Sequence, residues 1–145
     1  METNIAPGLR FSILDREFKK KLEERASRMD LTAVQLRVLG EISRSESLGV
    51  CEINQKDLEK ALAVTHPTMT EIIKRLEKKR AVICTQSKID KRYKKINCTE
   101  EYKNIHLELK EMDWEIFNKI CEGIPEEYVK IFLKASEKML KNIEK

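Results

Sequence analysis

The part of this chain that most restricts its fold lies between Met69 and Cys98, where the spacing of apolar residues changes period. Met69, Ile72, Ile73 and Leu76 stand at i, i+3, i+4 and i+7, the spacing that lines one face of a helix. Shortly afterwards the period becomes two. Ala81-Val82-Ile83-Cys84-Thr85 and Tyr93-Lys94-Lys95-Ile96-Asn97-Cys98 are β-prone runs, and the polar tip Gln86–Arg92 separates them. An apolar-backed helix followed at once by a hairpin is the expectation for this stretch.

Upstream, the pattern predicts three further helices. Leu14, Phe18, Leu22, Ala26 and Met29 form a helical stripe between Leu9 and about Met29. Thr32 and Gln35 have the spacing of a capping box and open a second helix. That helix carries Val34, Val38, Leu39 and Ile42 and should end near Ser45. Ser47-Leu48-Gly49 reads as a turn and Val50–Ile53 as a short extended piece. Asn54 is a good N-cap for a short third helix that should bury Leu58, Ala61 and Leu62 and end around Ala63. Thr65 is placed to cap the fourth helix, with Pro67 tolerated in its first turn. Two short helices joined by a tight turn, the second backed by an apolar stripe, are the pattern of a helix-turn-helix, and the hairpin appended to it is a wing.

After the hairpin, Thr99 is expected to cap a long helix bearing Ile105, Leu109, Met112, Ile116 and Ile120. Gly123 stops it, and Pro125-Glu126-Glu127 opens a last helix, with acidic residues suited to its positive dipole end. That helix carries Tyr128, Phe132, Leu133, Ala135, Met139, Leu140 and Ile143. The fold class expected is mainly α with a small β-hairpin wing. Residues 32–98 are the winged helix-turn-helix, and residues 1–31 with 99–145 are a separate helical region.

Charge is distributed unevenly over this frame. Residues 74–95 hold ten basic and two acidic side chains, whereas residues 1–73 and 99–145 are both slightly acidic. Such asymmetry predicts a localised patch for a polyanion. On the fourth helix, at about 100° per residue, Pro67, Glu71, Lys74 and Lys78 lie opposite the apolar stripe, with Thr68, Thr70 and Arg75 on its shoulders. Small hydroxyls permit close approach to a major groove, while Lys and Arg meet phosphates or guanine edges. For the helix alone, a merely solvated face is an equal reading. The wing tip adds Lys88, Lys91 and Arg92 on a narrow projection, where an Arg can enter a minor groove. Asp90 is out of place on a phosphate-binding tip unless it orients Arg92 or shapes the turn.

Other chemistry has little to build on. The 41% apolar and 37% charged composition reads as a soluble, helix-rich globular protein. Without a signal-like apolar run or a stretch of roughly 18 apolar residues, a cytoplasmic location with no membrane association is expected. The four cysteines (Cys51, Cys84, Cys98, Cys121) lack any C-x-x-C pair and read as small buried hydrophobes. His66 and His106 have no ligand-like neighbours in sequence. Neither a nucleophile–base pair, a phosphate-binding Gly loop nor a metal-spaced cluster is present, so neither an enzyme nor a cofactor or metal is expected.

Taken in order, Leu31-Thr32-x-x-Gln35-x-x-Val38-Leu39, Asn54-Gln55-Lys56-Asp57-Leu58, Thr65-x-Pro67-Thr68-Met69-Thr70 and Ile72-Ile73-x-Arg75-Leu76-Glu77-Lys78-Lys79 resemble the MarR family of winged helix-turn-helix regulators. Asp90-x-Arg92 and Thr99-Glu100-Glu101 extend the likeness, which covers about residues 9–143. The resemblance implies a homodimer bound to inverted-repeat double-stranded DNA, with the recognition helix in the major groove and the wing Arg in the minor groove. It places Thr65, His66, Thr68, Thr70 and Glu71 at base- and phosphate-facing positions and makes Asp90 and Arg92 the wing pair. It also makes the first and last helices a dimer interface. In agreement, Phe11, Leu14, Phe18, Phe132, Met139, Leu140 and Ile143 exceed what one small domain can cover. Most members repress transcription, and many release DNA when a small, often aromatic, effector enters the crevice between the DNA-binding and dimerisation parts.

Departures from the family pattern keep a second reading open. Ala63, Arg80 and Tyr102 stand where the family usually has Gly, so Ala63 and Arg80 are expected to adopt positive φ without glycine. Glu71 replaces a common Arg and would repel phosphates. A winged-helix protein–protein interaction module without DNA binding is the alternative these substitutions favour. No cysteine precedes Cys51, which argues against the peroxide-sensing branch with its reactive Cys in the first helix.

Overall fold

The structure, a computed structural model, describes residues 4–144. Its elements in chain order are α1 (Pro7–Ser27), α2 (Ala33–Ser47), α3 (Gln55–Leu62), α4 (His66–Lys78), β1 (Val82–Gln86), β2 (Lys94–Cys98), α5 (Ile105–Ile120) and α6 (Glu126–Ile143). The strands pair antiparallel, with Val82 opposite Cys98 and Gln86 opposite Lys94.

The core forms around α2, which packs on α1, α3, α5 and β2. Leu36, Val38, Leu39 and Ile42 of α2 are fully buried, together with Leu22 and Ala26 of α1, Leu58 of α3 and Met69 and Leu76 of α4. Ile96, Ile105 and Ile116 close this core from the wing and α5. Each such side chain contributes about 1.5–3 kcal/mol on leaving water. Gly40 permits the tight α2–α5 approach: a Cβ there would meet Leu109 Cδ2 at 2.6 Å.

Two capping boxes set the helix starts. The Thr32 hydroxyl accepts from Gln35 N while the side-chain Oε1 of Gln35 accepts from Thr32 N, both at 3.1 Å. Asn54 and Asp57 do the same for α3, at 3.0 and 2.9 Å. Helix ends are set by left-handed residues. Ala63 (φ 52°) and Arg80 (φ 58°) adopt the positive φ expected of them, and Asp30 (φ 57°) does so without a sequence signal. In all three cases the residue after the left-handed one donates back over the helix end: Leu31 to Ala26, Val64 to Glu59 and Ala81 to Leu76.

Several expectations are corrected. Val34 and Ala61 are exposed rather than core, because α2 and α3 present those positions away from their neighbours. Helix α2 continues to Ser47, with Gly49 (φ 79°) completing the turn. Thr65 sits at the N-cap of α4 without capping it. Its hydroxyl donates instead to Thr68 Oγ1 at 3.0 Å, and Pro67 has no N–H to offer it. Thr99 opens only a 3₁₀ turn, Glu100–Tyr102, and α5 begins at Ile105. The Thr99 hydroxyl is spent on the carbonyls of Arg80 and Ala81, tying the end of the hairpin to the end of α4. The cysteines are not a buried set: Cys51 is exposed, and Cys84, Cys98 and Cys121 are half-buried and free. Burial pushes the Cys98 thiol up to about 12, so it stays protonated and inert.

Candidate nucleic-acid interface

Helix α4 has two chemically distinct sides. Met69, Ile72, Ile73 and Leu76 are buried, which fixes the rotation of the helix and turns Thr65, His66, Thr68, Glu71, Lys74, Arg75 and Lys78 outward. Thr70 is half-buried at the edge of α3. Glu71 lies 3.4 Å from Arg75 in an exposed i,i+4 pair, a contact weak enough for either residue to turn to a ligand. Lys79, just past the helix, points the other way. It donates to the Asp30 carbonyl and, at 3.1 Å, to Gln35 Oε1, so it braces α4 against α2 and leaves the outward face.

At the wing tip, Asp90 grips Arg92. The Arg92 Nη2 reaches Asp90 Oδ2 at 2.7 Å, Nε lies 3.1 and 3.2 Å from the two carboxylate oxygens, and the Arg92 N–H donates to Oδ1 at 3.0 Å. These bonds from Arg92 hold the Asp90 carboxyl well below its ordinary value of 3.8, at about 2. A folded value below the unfolded one means the pair's contribution is fully present above about 3.8 and is lost as pH falls through about 2. Lys88 and Lys91 are exposed on the same tip. The Tyr93 ring carries two cations, Arg92 and Lys56 of α3, each 5.7 Å from its centroid.

The wing is anchored from outside itself by two carboxylates that sequence reading missed. Glu52 accepts from the buried Ser87 hydroxyl at 2.5 Å and from Lys88 N at 3.0 Å. Ser87 Oγ in turn accepts from the N–H groups of Ile89 and Asp90, so one serine organises the turn. The Ser87 hydrogen bond, then that from Lys88, lowers the Glu52 carboxyl from its ordinary range. Glu46 at the end of α2 accepts from Cys98 N at 2.8 Å and Asn97 Nδ2 at 3.2 Å. Nothing periodic links position 52 to 87, or 46 to 98, which is why no sequence signal marked them.

Also unmarked was a polar cluster between α3 and the start of α4. Gln55 Nε2 lies 2.8 Å from Thr70 Oγ1, and Glu59 Oε2 lies 2.9 Å from His66 Nδ1. Both helices, with Lys74 and Arg92, line an open cavity of about 400 Å³ between α4 and the wing.

Away from this face, α6 buries none of its residues within the protomer. Phe11, Leu14, Phe132, Met139, Leu140 and Ile143 are exposed, and Phe132 stacks on Phe117 of α5 at 6.1 Å between centroids. Phe18 differs from the other expected interface residues: it is half-buried against the core. Between α1, α5 and α6 runs an apolar groove of about 450 Å³ lined by Leu14, Phe18, Phe117, Ile120, Val129 and Phe132. A second crevice of about 440 Å³, between α2 and α5, is lined by Arg37, Arg44, His106, Leu109, Lys110 and Asp113. His106 is not solitary there, since its Nδ1 meets the buried Ser43 hydroxyl.

Among the described residues no group of three His, Cys, Asp or Glu is arranged to hold a metal, and no helix is long and apolar enough to cross a membrane. The class of protein these features define is a winged helix-turn-helix with added terminal helices. A sequence model of the MarR family matches residues 29–92. The HTH-type transcriptional regulator SarZ of Staphylococcus aureus is 31% identical over 109 residues, 75% of this chain and 70% of that protein. The fold is shared by the reduced form of MarR from E. coli (TM-score 0.85, 23% identity, covering 96% of this chain and 99% of that one). It is shared too by S. aureus MepR in its complex with DNA (TM-score 0.77, 23% identity, with the same coverage). This chain belongs to the MarR family.

Proposed function

We infer that the protein is a homodimeric, sequence-specific DNA-binding transcriptional regulator, a repressor acting in the cytoplasm on an inverted-repeat operator. The observation that carries this reading is the juxtaposition on one side of the molecule of the outward face of α4 and the Asp90-held Arg92 of the wing. On this reading residues 32–98 bind DNA, and residues 1–31 with 99–145 make the dimer, of which 1–3 and 145 lie outside the described residues. Thr65, His66, Thr68, Thr70 and Glu71 face bases and phosphates; Lys74, Arg75, Lys78, Lys88 and Lys91 meet phosphates; and Arg92 enters the minor groove. Asp90 orients Arg92. The exposed apolar residues of α1 and α6 cover one another across the two-fold axis, since an isologous interface needs a self-complementary patch. The crevice between α2 and α5 joins the two parts and is where a small-molecule effector acts. The relatives' regulatory role, rather than any feature of the site, supports a non-enzymatic function.

The positive φ of Ala63 and Arg80 removes one support of the interaction-module alternative, because the missing glycines leave the turn and the helix end intact. The test is binding of the purified protein to duplexes selected from a random pool, measured against salt. A dimer making about 6–10 phosphate contacts should lose roughly a thousandfold or more in affinity between 50 and 200 mM salt. Failure to select any duplex at low salt would overturn the reading.

A further inference from the structure

Helix α3 meets the start of α4 through groups whose hydrogen-bonding roles can be counted. The Thr70 hydroxyl donates to the His66 carbonyl at 2.9 Å, so its oxygen accepts from Gln55 Nε2 at 2.8 Å. Gln55 Nε2 also lies 3.4 Å from the His66 carbonyl and 3.1 Å from His66 Nδ1. A bare Nδ1 would accept from Gln55 but would face the Glu59 carboxylate with no proton between them, which disfavours that tautomer. Glu59, ionised, can only accept. Its Oε2 lies 2.9 Å from His66 Nδ1, so that nitrogen must carry a proton to make the bond. The bond from His66, with a weaker one from Gln55, holds the Glu59 carboxyl below its ordinary value despite some desolvation. With Nδ1–H committed to α3, the neutral imidazole has the tautomer whose Nε2 is a bare acceptor. The His66 side chain is 71% exposed, on the first turn of α4, whereas Glu59 is only 18% exposed. Without its partner, a neutral imidazole can place its single proton on either nitrogen and rotate.

We propose that Glu59 and Gln55 are positioning residues for base readout: together they fix the tautomer and orientation of His66 and the hydroxyl of Thr70, and thereby the base preferred beneath the first turn of α4. The inference rests on the DNA-binding reading above and adds residues of α3 to it. In the neutral state Nε2 can accept from an exocyclic amino group, cytosine N4 or adenine N6, but cannot donate to guanine O6 or N7. Discrimination at that position therefore belongs to the α3–α4 pair, although Glu59 itself touches no base.

Two measurements test this. In the free protein at a pH where imidazole is neutral, ¹⁵N correlation spectra of the ring should show the Nδ1–H tautomer in the wild type and a mixture in Glu59→Gln and Glu59→Ala. A wild-type spectrum dominated by Nε2–H would overturn the proposal. Selection from a random duplex pool should then give one position per half-site at which the wild type prefers an amino-bearing base by about tenfold, and at which Glu59→Ala and Gln55→Ala lose the preference. Affinity of Glu59→Ala for unrelated duplex should not fall, because a carboxylate beside a polyanion has been removed. A merely structural role would instead lower affinity for every duplex together with the melting temperature, and that outcome also overturns the proposal. Should the wild type select a site and both variants keep every base preference, this inference alone fails. Should the wild type select nothing, the DNA-binding reading fails first.

Discussion

Helices α4 and α6 are written in the same pattern and meet opposite fates. Each has a stripe of large apolar residues at helical spacing with charged residues around it. In α4 the stripe is buried almost completely, while in α6 Phe132, Met139 and Leu140 remain 44%, 46% and 62% exposed. The α4 stripe lies against α3 and β1, because the tight turn at Ala63 delivers the helix there. The α6 stripe follows the Gly123–Pro125 corner, where Phe132 stacks on Phe117 of α5, and none of its residues is buried within the protomer. Amphipathic spacing therefore says that a face will be buried, but not by which molecule. The proposed second copy would resolve for α6 what α3 and β1 resolve for α4.

The sharpest way to break this comparison is to truncate one residue from each stripe. Leu76→Ala, in a fully buried site, should destabilise the protomer by about 2–5 kcal/mol in urea denaturation at fixed protein concentration. A loss under about 1 kcal/mol would mean that α4 is not seated on the core. On α6, Phe132→Asp with Leu140→Asp should raise the dimer dissociation constant at least about thirtyfold by sedimentation, leaving the helical signal of the protomer largely intact. If sedimentation gives a monomer for the wild type at micromolar concentration, the exposed stripe has another explanation. Arg92→Ala separates the wing from both helices. Affinity for the selected duplex should fall about tenfold, mostly at A·T-rich flanks, with the dimer undisturbed. Unchanged affinity would remove Arg92 from the interface. Smallest of all, Ala63→Gly relieves a left-handed alanine and should stabilise by about 0.5–1 kcal/mol, read as a melting temperature higher by about 2 °C. A lower melting temperature would show that chain entropy outweighs the strain.

The acidic residues of the interface repeat the lesson at smaller scale. Asp90 sits two residues from its partner, and its role as the anchor of Arg92 could be read as one of two options from the sequence. Glu52, Glu46 and Glu59 work over separations of 35, 51 and 7 residues. None of them stands out among the 25 acidic side chains until the fold brings its partner to it. Glu59 is the instructive case, since its distance along the chain is short, but a left-handed turn between it and His66 breaks the helical register that would have predicted their meeting.

What the sequence alone determined was everything carried by local spacing. The order of helices and hairpin, the Thr32–Gln35 capping box, the Asn54 cap and the outward residues of α4 all follow from contacts within about five residues, whose geometry the backbone imposes. The positive φ at Ala63 and Arg80 was legible only through the family resemblance, and Asp90 as the partner of Arg92 was one of two options. Only the tertiary structure decided the rest. Thr99 leaves its helix for the end of α4, Val34 and Ala61 face solvent, the wing is pinned by Glu46 and Glu52, and α3 brings Glu59 to His66. Each of these depends on the direction in which one element approaches another, and that direction is chosen by the packing of the whole core around α2.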